Sequence, residues 1–425
     1  MAKRRPAPRH SLARRLTHAD WAFRADDIAV FDALAGSTHV DSLREYFGAQ
    51  AYAELTVLAA AAKRAKMRRG PRVLILPGIM GSRLGHADRG ARSGVLWIDP
   101  LEIAAGRLTN LTLPAGKALR SSGVLLFSYA KLKLKLQLDG CDAAFFPYDW
   151  RLGLDELGTA LAAHIAADAK PVTLIAHSMG GLIARMAAGK LAKRYVRRLI
   201  LLGTPNDGSF APIQALRGTY PFVRKLATLD RKHSPEYLAE KVFGTFPGLY
   251  QLLPTARRLS RINLFDPGCW PADGPAPNAR LLGQAAAARA GLARPDSRMF
   301  QIVGVNQETV VGVRRTAAGF EYALDMNGDG TVPLASALLP KLKTYFVEEL
   351  HGNLANNAQV IQAAIDLVRH GRTGALPRRW SRRRDPLRSV DDAQLRRDGR
   401  RKIDWRRLNS AQREAALADL DSGRP

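Results

Sequence analysis

One serine in this 425-residue chain stands where a serine can act as a nucleophile. The run Thr173-Leu174-Ile175-Ala176-His177-Ser178-Met179-Gly180-Gly181-Leu182 reads as an apolar strand leading directly into Ser178 and then into a helical pattern. A serine held in a tight strand-to-helix turn projects its Oγ clear of the backbone, but the crowding there demands small residues two positions to either side. Ala176 and Gly180 meet that demand, with Ala176 standing where glycine is usual. The helix starting at Met179 would bring free N–H groups and a positive dipole end near the hydroxyl. A simple helix-capping serine would occupy the same place. The strand before it and the small flanking residues favour the nucleophile.

Acyl transfer through a serine also requires donors for the oxyanion that develops on the attacked carbonyl. One is the N–H of the residue after the nucleophile, Met179, and the other is expected from a loop after an early strand. Arg72–Leu76 runs into Pro77-Gly78-Ile79-Met80-Gly81-Ser82. Its glycines let a backbone N–H turn outward, and we assign that donor to Ile79; the alternative is a plain structural turn. An acid and a histidine should follow in that order. Asp329 lies on the glycine-flanked turn Asn327-Gly328-Asp329-Gly330-Thr331-Val332-Pro333, with Asp325 as the fallback acid. The same stretch spells most of a calcium loop, but its twelfth position is Ser336 rather than a bidentate glutamate, which makes calcium the weaker reading. The next histidine, His351, sits in a loop between the last strand candidate and the last helix candidate. It would take the serine proton and return it to the leaving group, with its tautomer held by the carboxylate. His86, His164 and His370 lie in no comparable loop, and His177 is expected to pack beside the turn. No motif calls for a cofactor, and the two cysteines, Cys141 and Cys269, form neither a metal-binding spacing nor a disulfide framework.

These residues need a scaffold that delivers several loops to one edge. Strands are expected at Arg72–Leu76, Ala143–Phe146, Val172–Ala176, Arg198–Leu202, Met299–Val303 and Thr344–Val347, all short, apolar and non-alternating, as strands covered on both faces read. Helical runs at Leu154–Asp168, Gly180–Arg194 and Asn353–Arg369 fall between them, so the chain reads as an α/β protein with a mostly parallel central sheet flanked by helices. Five segments follow: a basic N-terminal segment, 1–70, with one helix at Ala49–Lys66; a first core part, 71–205; an insertion, 206–296, where the alternation stops and a cap or lid is expected; a second core part, 297–370; and an Arg-rich tail, 371–425, expected to be disordered, with a short helix near Ser410–Leu420.

The net charge of +27 favours anionic partners, although dispersed surface arginine explains much of it. The first residues lack an apolar stretch of the secretory kind and no run is long enough to span a bilayer, so a cytoplasmic, at most peripherally membrane-bound, setting is expected.

Eight segments together resemble the lecithin:cholesterol acyltransferase-like α/β-hydrolases, with their phospholipase A2-type and bacterial lipase-like relatives. They are LILPGIMGSRL (74–84), LWIDP (96–100), FPYDWR (146–151), AHSMGG (176–181), GTPNDGS (203–209), FPGLYQLLP (246–254), NGDGTVP (327–333) and LHGN (350–353). The resemblance spans about Pro71 to His370. It implies an α/β-hydrolase fold with an inserted cap, the triad Ser178, Asp329 and His351, the oxyanion donors Ile79 and Met179, and hydrolysis or transfer of acyl chains from lipid esters. It leaves Tyr148-Asp149-Trp150-Arg151 structural, with Asp149 and Arg151 fixing a loop near the site. The cysteine-closed lid of secreted members has no counterpart here, and the basic termini lie outside what the family explains.

The leading expectation is therefore a serine-dependent carboxylic ester hydrolase acting on an acyl lipid through an acyl-serine intermediate. An O-acyltransferase would use the same residues, because the outcome depends on how well the closed site excludes water. A third reading is a binding protein whose basic ends dock on anionic membrane or, less favoured, nucleic acid, with Trp380 and Trp405 as anchors. Oligomeric state stays open.

Overall fold

The computed structural model describes residues 20–65, 70–86, 94–114, 119–259, 262–383, 386–397, 402–409 and 412–413. Six apolar segments build the central sheet: β1 (Arg72–Leu76), β2 (Asp142–Phe145), β3 (Val172–His177), β4 (Val196–Leu202), β5 (Met299–Gly304) and β6 (Lys343–Val347). They lie in the order β6-β5-β4-β3-β1-β2, and every neighbouring pair is parallel. Successive residues of the inner strands enter different cores. Leu74, Leu76, Leu174 and Ala176 pack with helices Leu154–Ala167 and Met179–Lys190. Val73, Ile75 and Ile175 pack with helices Leu126–Leu138 and Ala358–His370. Burial on both faces is why the inner strands show no polar alternation. This is the α/β-hydrolase fold, with two antiparallel three-stranded sheets beside the central one.

The N-terminal segment departs from the single helix expected there. Among its described residues are four helices, Trp21–Arg24, Asp27–Gly36, Val40–Phe47 and Ala49–Arg64. The first three are too short to show a sustained period, and in the turn between the second and third the left-handed residues are Ser37 and His39 (φ 52° and 54°) rather than the neighbouring Gly36. Phe23, Leu34, Leu43, Tyr46 and Leu55 are buried in the same core as Leu126, Tyr129 and Leu132. Helix Leu126–Leu138 is itself disguised: its KLKLKL run alternates like a strand, yet Leu132, Leu134 and Leu136 are all buried. Lys133 shares their side by laying its ammonium 4.8 Å from the rings of Phe31 and Phe145.

The second core part also departs from a plain βα pattern. A hairpin, Thr309–Thr316 with Gly319–Asp325, leaves the central sheet and is joined by Arg388–Asp391 from beyond the last core helix. The expectation of a disordered tail is thus not met by the described residues of 371–425. Asp392 is fully buried, accepting from Arg217 Nε at 3.0 Å and Tyr322 hydroxyl at 2.8 Å. Trp405 is fully buried, and Lys402 donates to the carbonyls of Ala227, Asp230 and His233 at 2.7, 2.6 and 2.6 Å. Low aliphatic content misleads here because arginine, lysine and aspartate side chains make the contacts. The helix expected near Ser410–Leu420 lies outside the described residues except for 412–413. Among the described residues no helix is long and apolar enough to cross a membrane.

Removing one partner of a buried ion pair strands the other, at a cost of about 3–5 kcal/mol. Asp392→Ala should therefore lower the unfolding free energy by that order in denaturant titration. An unchanged midpoint would mean that the C-terminal segment does not hold the fold.

Candidate active site

Strand β3 ends at His177, and the chain turns abruptly into helix Met179–Lys190. Ser178 sits at the turn with φ 53° and ψ −125°, a conformation that costs a non-glycine residue about 1–3 kcal/mol. It is held by burial on either side and by its own N–H, which donates to Leu202 O at 2.9 Å. The turn also leans against the loop after β1. A Cβ on Gly180 would come within 2.4 Å of Pro77 O, and one on Gly78 within 3.0 Å of Ser178 Cβ. A side chain at Gly180 would thus push the two loops apart, and one at Gly78 would need its neighbours to give by a few tenths of an ångström.

The three separated residues form one hydrogen-bonded line. Ser178 Oγ lies 2.9 Å from His351 Nε2, and His351 Nδ1 lies 2.8 Å from Asp329 Oδ2. The other carboxylate oxygen of Asp329 accepts the N–H groups of Thr331 and Val332 at 3.0 and 2.7 Å, and its carbonyl accepts the His351 N–H at 2.8 Å. With the carboxylate accepting at Nδ1, the imidazole carries its hydrogen there and leaves Nε2 free for the serine proton. Asp325 is directed elsewhere, pairing with Arg382 at 2.7 Å, so the fallback acid is not in the line. Both carboxylates of the calcium-like stretch are thereby committed to protein partners, and among the described residues no cluster of His, Cys, Asp and Glu gathers to hold a metal ion. Cys141 is buried away from this line, with its thiol pushed up to about 11 by that burial.

Around the serine, the N–H groups of Ile79 and Met179 are the two expected oxyanion donors, and no described protein group accepts from either. The loop carrying Ile79 is anchored from below. Tyr148 hydroxyl donates to Pro77 O at 2.7 Å, and Trp150 Nε1 donates to Ser82 O at 3.0 Å. Asp149 and Arg151 pair with each other, and Arg151 reaches Leu111 O at 2.9 Å. In the Tyr-Asp-Trp-Arg run, Tyr148 and Trp150 are thus the direct anchors of the loop.

A second line of hydrogen bonds runs beneath the first. Gly78 N–H donates to the Tyr129 hydroxyl at 2.9 Å, Tyr129 Oη lies 2.9 Å from His177 Nδ1, and His177 Nε2 lies 2.9 Å from His351 O. The carbonyl can only accept, so His177 must carry its hydrogen on Nε2, and Tyr129 must donate to Nδ1. Burial above all, and then the neighbouring His351, pulls the His177 pKa down to about 3 and keeps the ring neutral. This line ties the Ile79 loop to the His351 loop. Nothing in the sequence marks Tyr129, which lies in the helix just before the Lys131–Leu136 alternation and carries no sign of its partner.

Above the serine lies a mainly apolar cavity of about 430 Å³, within the size range of small-molecule sites. Ile79, Trp97, Tyr220, Phe222, Leu249 and Leu252 are among its walls, together with Ser178 and His351.

A model of the Alpha/beta hydrolase family matches residues 73–312. Comparison with curated proteins gives no match. Among solved structures, the Tle4–Tli4 complex is similar at 14% identity and a TM-score of 0.42, covering 70% of this chain and 98% of that one. Bacillus licheniformis lipase BlEst2 is similar in propeptide and mature forms at 16% identity and a TM-score of 0.34, over 68% of this chain and 47% and 86% of those chains. Likenesses of this degree carry no weight for activity.

Tyr129→Phe removes two of the three hydrogen bonds in the line that joins the two loops, and misplacement of reacting groups of this kind costs up to about 100-fold in rate. Any Ser178-dependent turnover should fall in kcat, with KM little changed; an unaltered kcat would show the brace to be idle. The neutral His177 has a second consequence. An unfolded chain binds a proton there near pH 6.5 that the folded chain refuses until about 3. Its contribution to stability is therefore complete above 6.5 and is lost as pH falls through that window. Thermal unfolding between pH 7 and 4 should show a flatter pH dependence in His177→Gln than in wild type. Equal slopes would contradict the assignment.

Proposed function

The chain belongs to the alpha/beta hydrolase family, and from that premise we propose that it is a serine-dependent carboxylic ester hydrolase acting on acyl lipids. We assign it to the lecithin:cholesterol acyltransferase-like branch on its sequence segments. The observation that supports this reading best is the line Ser178–His351–Asp329, with contacts of 2.9 and 2.8 Å, opening into an apolar cavity.

In this reading Ser178 Oγ attacks the ester carbonyl while His351 Nε2 takes its proton. The carbonyl oxygen becomes an oxyanion held by the N–H groups of Ile79 and Met179, where loss of one donor typically costs about 100-fold or more. Asp329 keeps the imidazole oriented and stabilises its charged form. His351 then passes the proton to the departing alkoxide, leaving an acyl group on Ser178. Water, deprotonated by His351, attacks the acyl-serine and frees the acid and the serine. Residues 206–296 serve as the cap over this chemistry, since Ser209, Tyr220, Phe222, Leu249 and Leu252 from that stretch line the cavity. The positive charge of the chain suits docking on anionic lipid surfaces, where such substrates reside.

Hydrolysis of para-nitrophenyl esters of graded chain length tests the proposal. Wild type should turn over, and Ser178→Ala should lose activity by at least about a thousandfold, in line with removal of a serine nucleophile. Equal activity in the two would place the nucleophile elsewhere.

A further inference from the structure

On the ester-hydrolase reading, we infer that the N-terminal helices, which precede the matched family region, form a wall of the acyl pocket and set the chain length it accepts. The family match begins at residue 73, yet the cavity over Ser178 is also lined by Glu45, Tyr46, Phe47, Gly48 and Ala51. These residues come from the end of helix Val40–Phe47, the turn at Gly48 and the first turn of helix Ala49–Arg64. Gly48 has φ 80° and ψ 150°, which lets the second helix leave the first abruptly.

The turn is fixed against the core of the enzyme. Leu126 N–H donates to the Tyr46 hydroxyl at 3.1 Å, and Asn356 Nδ2 donates to Phe127 O at 2.6 Å, from the segment that follows His351. Both Phe127 and Asn356 line the cavity as well. The wall is therefore held on helix Leu126–Leu138, which is itself bonded to the segment after His351. Its chemistry is apolar at Phe47, Ala51 and Phe127. Glu45 is the exception; it is buried, and its carboxylate is engaged by Arg413 Nη1 at 3.4 Å. An alkyl chain suits such a surface better than a polar head group, which would lose its water there without replacement hydrogen bonds.

The wall is also thin. Phe47, Gly48 and Ala51 line both the main cavity and a small outer depression that reaches Glu54. The bulk at positions 47 and 51 thus decides whether a chain stops inside or continues outward. Pocket contacts with single methylenes discriminate by about 10-fold or more, so small changes at these positions should be readable in substrate preference.

The test is the ratio of kcat/KM for para-nitrophenyl dodecanoate to that for the butyrate, measured on the full chain with the folded state of each variant checked by thermal melting. Ala51→Trp should lower this ratio by about tenfold or more, by the same discrimination, and Phe47→Ala should raise it. Ala51→Leu, a smaller intrusion, should lower it less and stands in if the tryptophan variant does not fold. A ratio unchanged in the folded variants, or an equal loss on both esters, overturns the inference while leaving the ester-hydrolase reading intact. Turnover that does not depend on Ser178 in wild type overturns both.

Discussion

The backbone of Ser178, at φ 53° and ψ −125°, is the conformation on which the site turns. A serine does not adopt it in an unconstrained chain, and a cost of about 1–3 kcal/mol must be met by the surroundings. The surroundings are a strand buried at all its positions and a helix whose first ten residues are buried. Neither element can shift to relax the turn without exposing apolar surface on one face of the sheet. The strain aims Oγ away from the backbone, toward the one loop that carries a histidine within reach.

Topology explains why that loop is there. In a parallel sheet all strands deliver their C-terminal ends to the same edge, so the loops after β1, β3 and β6 meet although Ile79, Ser178 and His351 are far apart in sequence. The stretch following the hairpin brings Asp329, whose backbone and side chain both bind His351. Bringing loops together does not fix their spacing to the accuracy that proton transfer needs. The lower line from Gly78 through Tyr129 and His177 to the His351 carbonyl bonds these loops to one another, and it stays neutral because His177 is too buried to charge. Polar groups in such a line are worth most when every member is satisfied, and here each ring nitrogen of His177 has one partner with a defined role.

The legible parts of the molecule are those with strong local signals. All six core strands read as short runs in the sequence, each displaced by at most two residues at an end, and the inner ones are mainly apolar because both their faces are covered. Ser178 was visible from the size of its neighbours, and Asp329 and His351 from their order after it; the structure brings these three together. What was hidden depends on partners rather than on pattern. The short N-terminal helices hide behind a turn whose left-handed residues, Ser37 and His39, are of types that rarely mark one. Tyr129 hides in a helix whose lysine–leucine alternation, from Lys131 to Leu136, imitates a strand. The C-terminal segment reads as a solvated tail because its contacts are made by Asp392, Lys402 and Trp405 on distant surfaces, and a sequence window cannot show what a charged side chain will meet.

We propose that the turn, the buried imidazole line and the sheet edge together make Ser178 a nucleophile at neutral pH. A fluorophosphonate ester reports this directly, since it reacts with an activated serine and leaves a covalent mark. Intact-mass and peptide mass spectrometry of the labelled full chain should show one adduct, on Ser178, and its formation should be strongly slowed in His351→Ala. No adduct on the folded protein, or an adduct on another residue, would contradict the account.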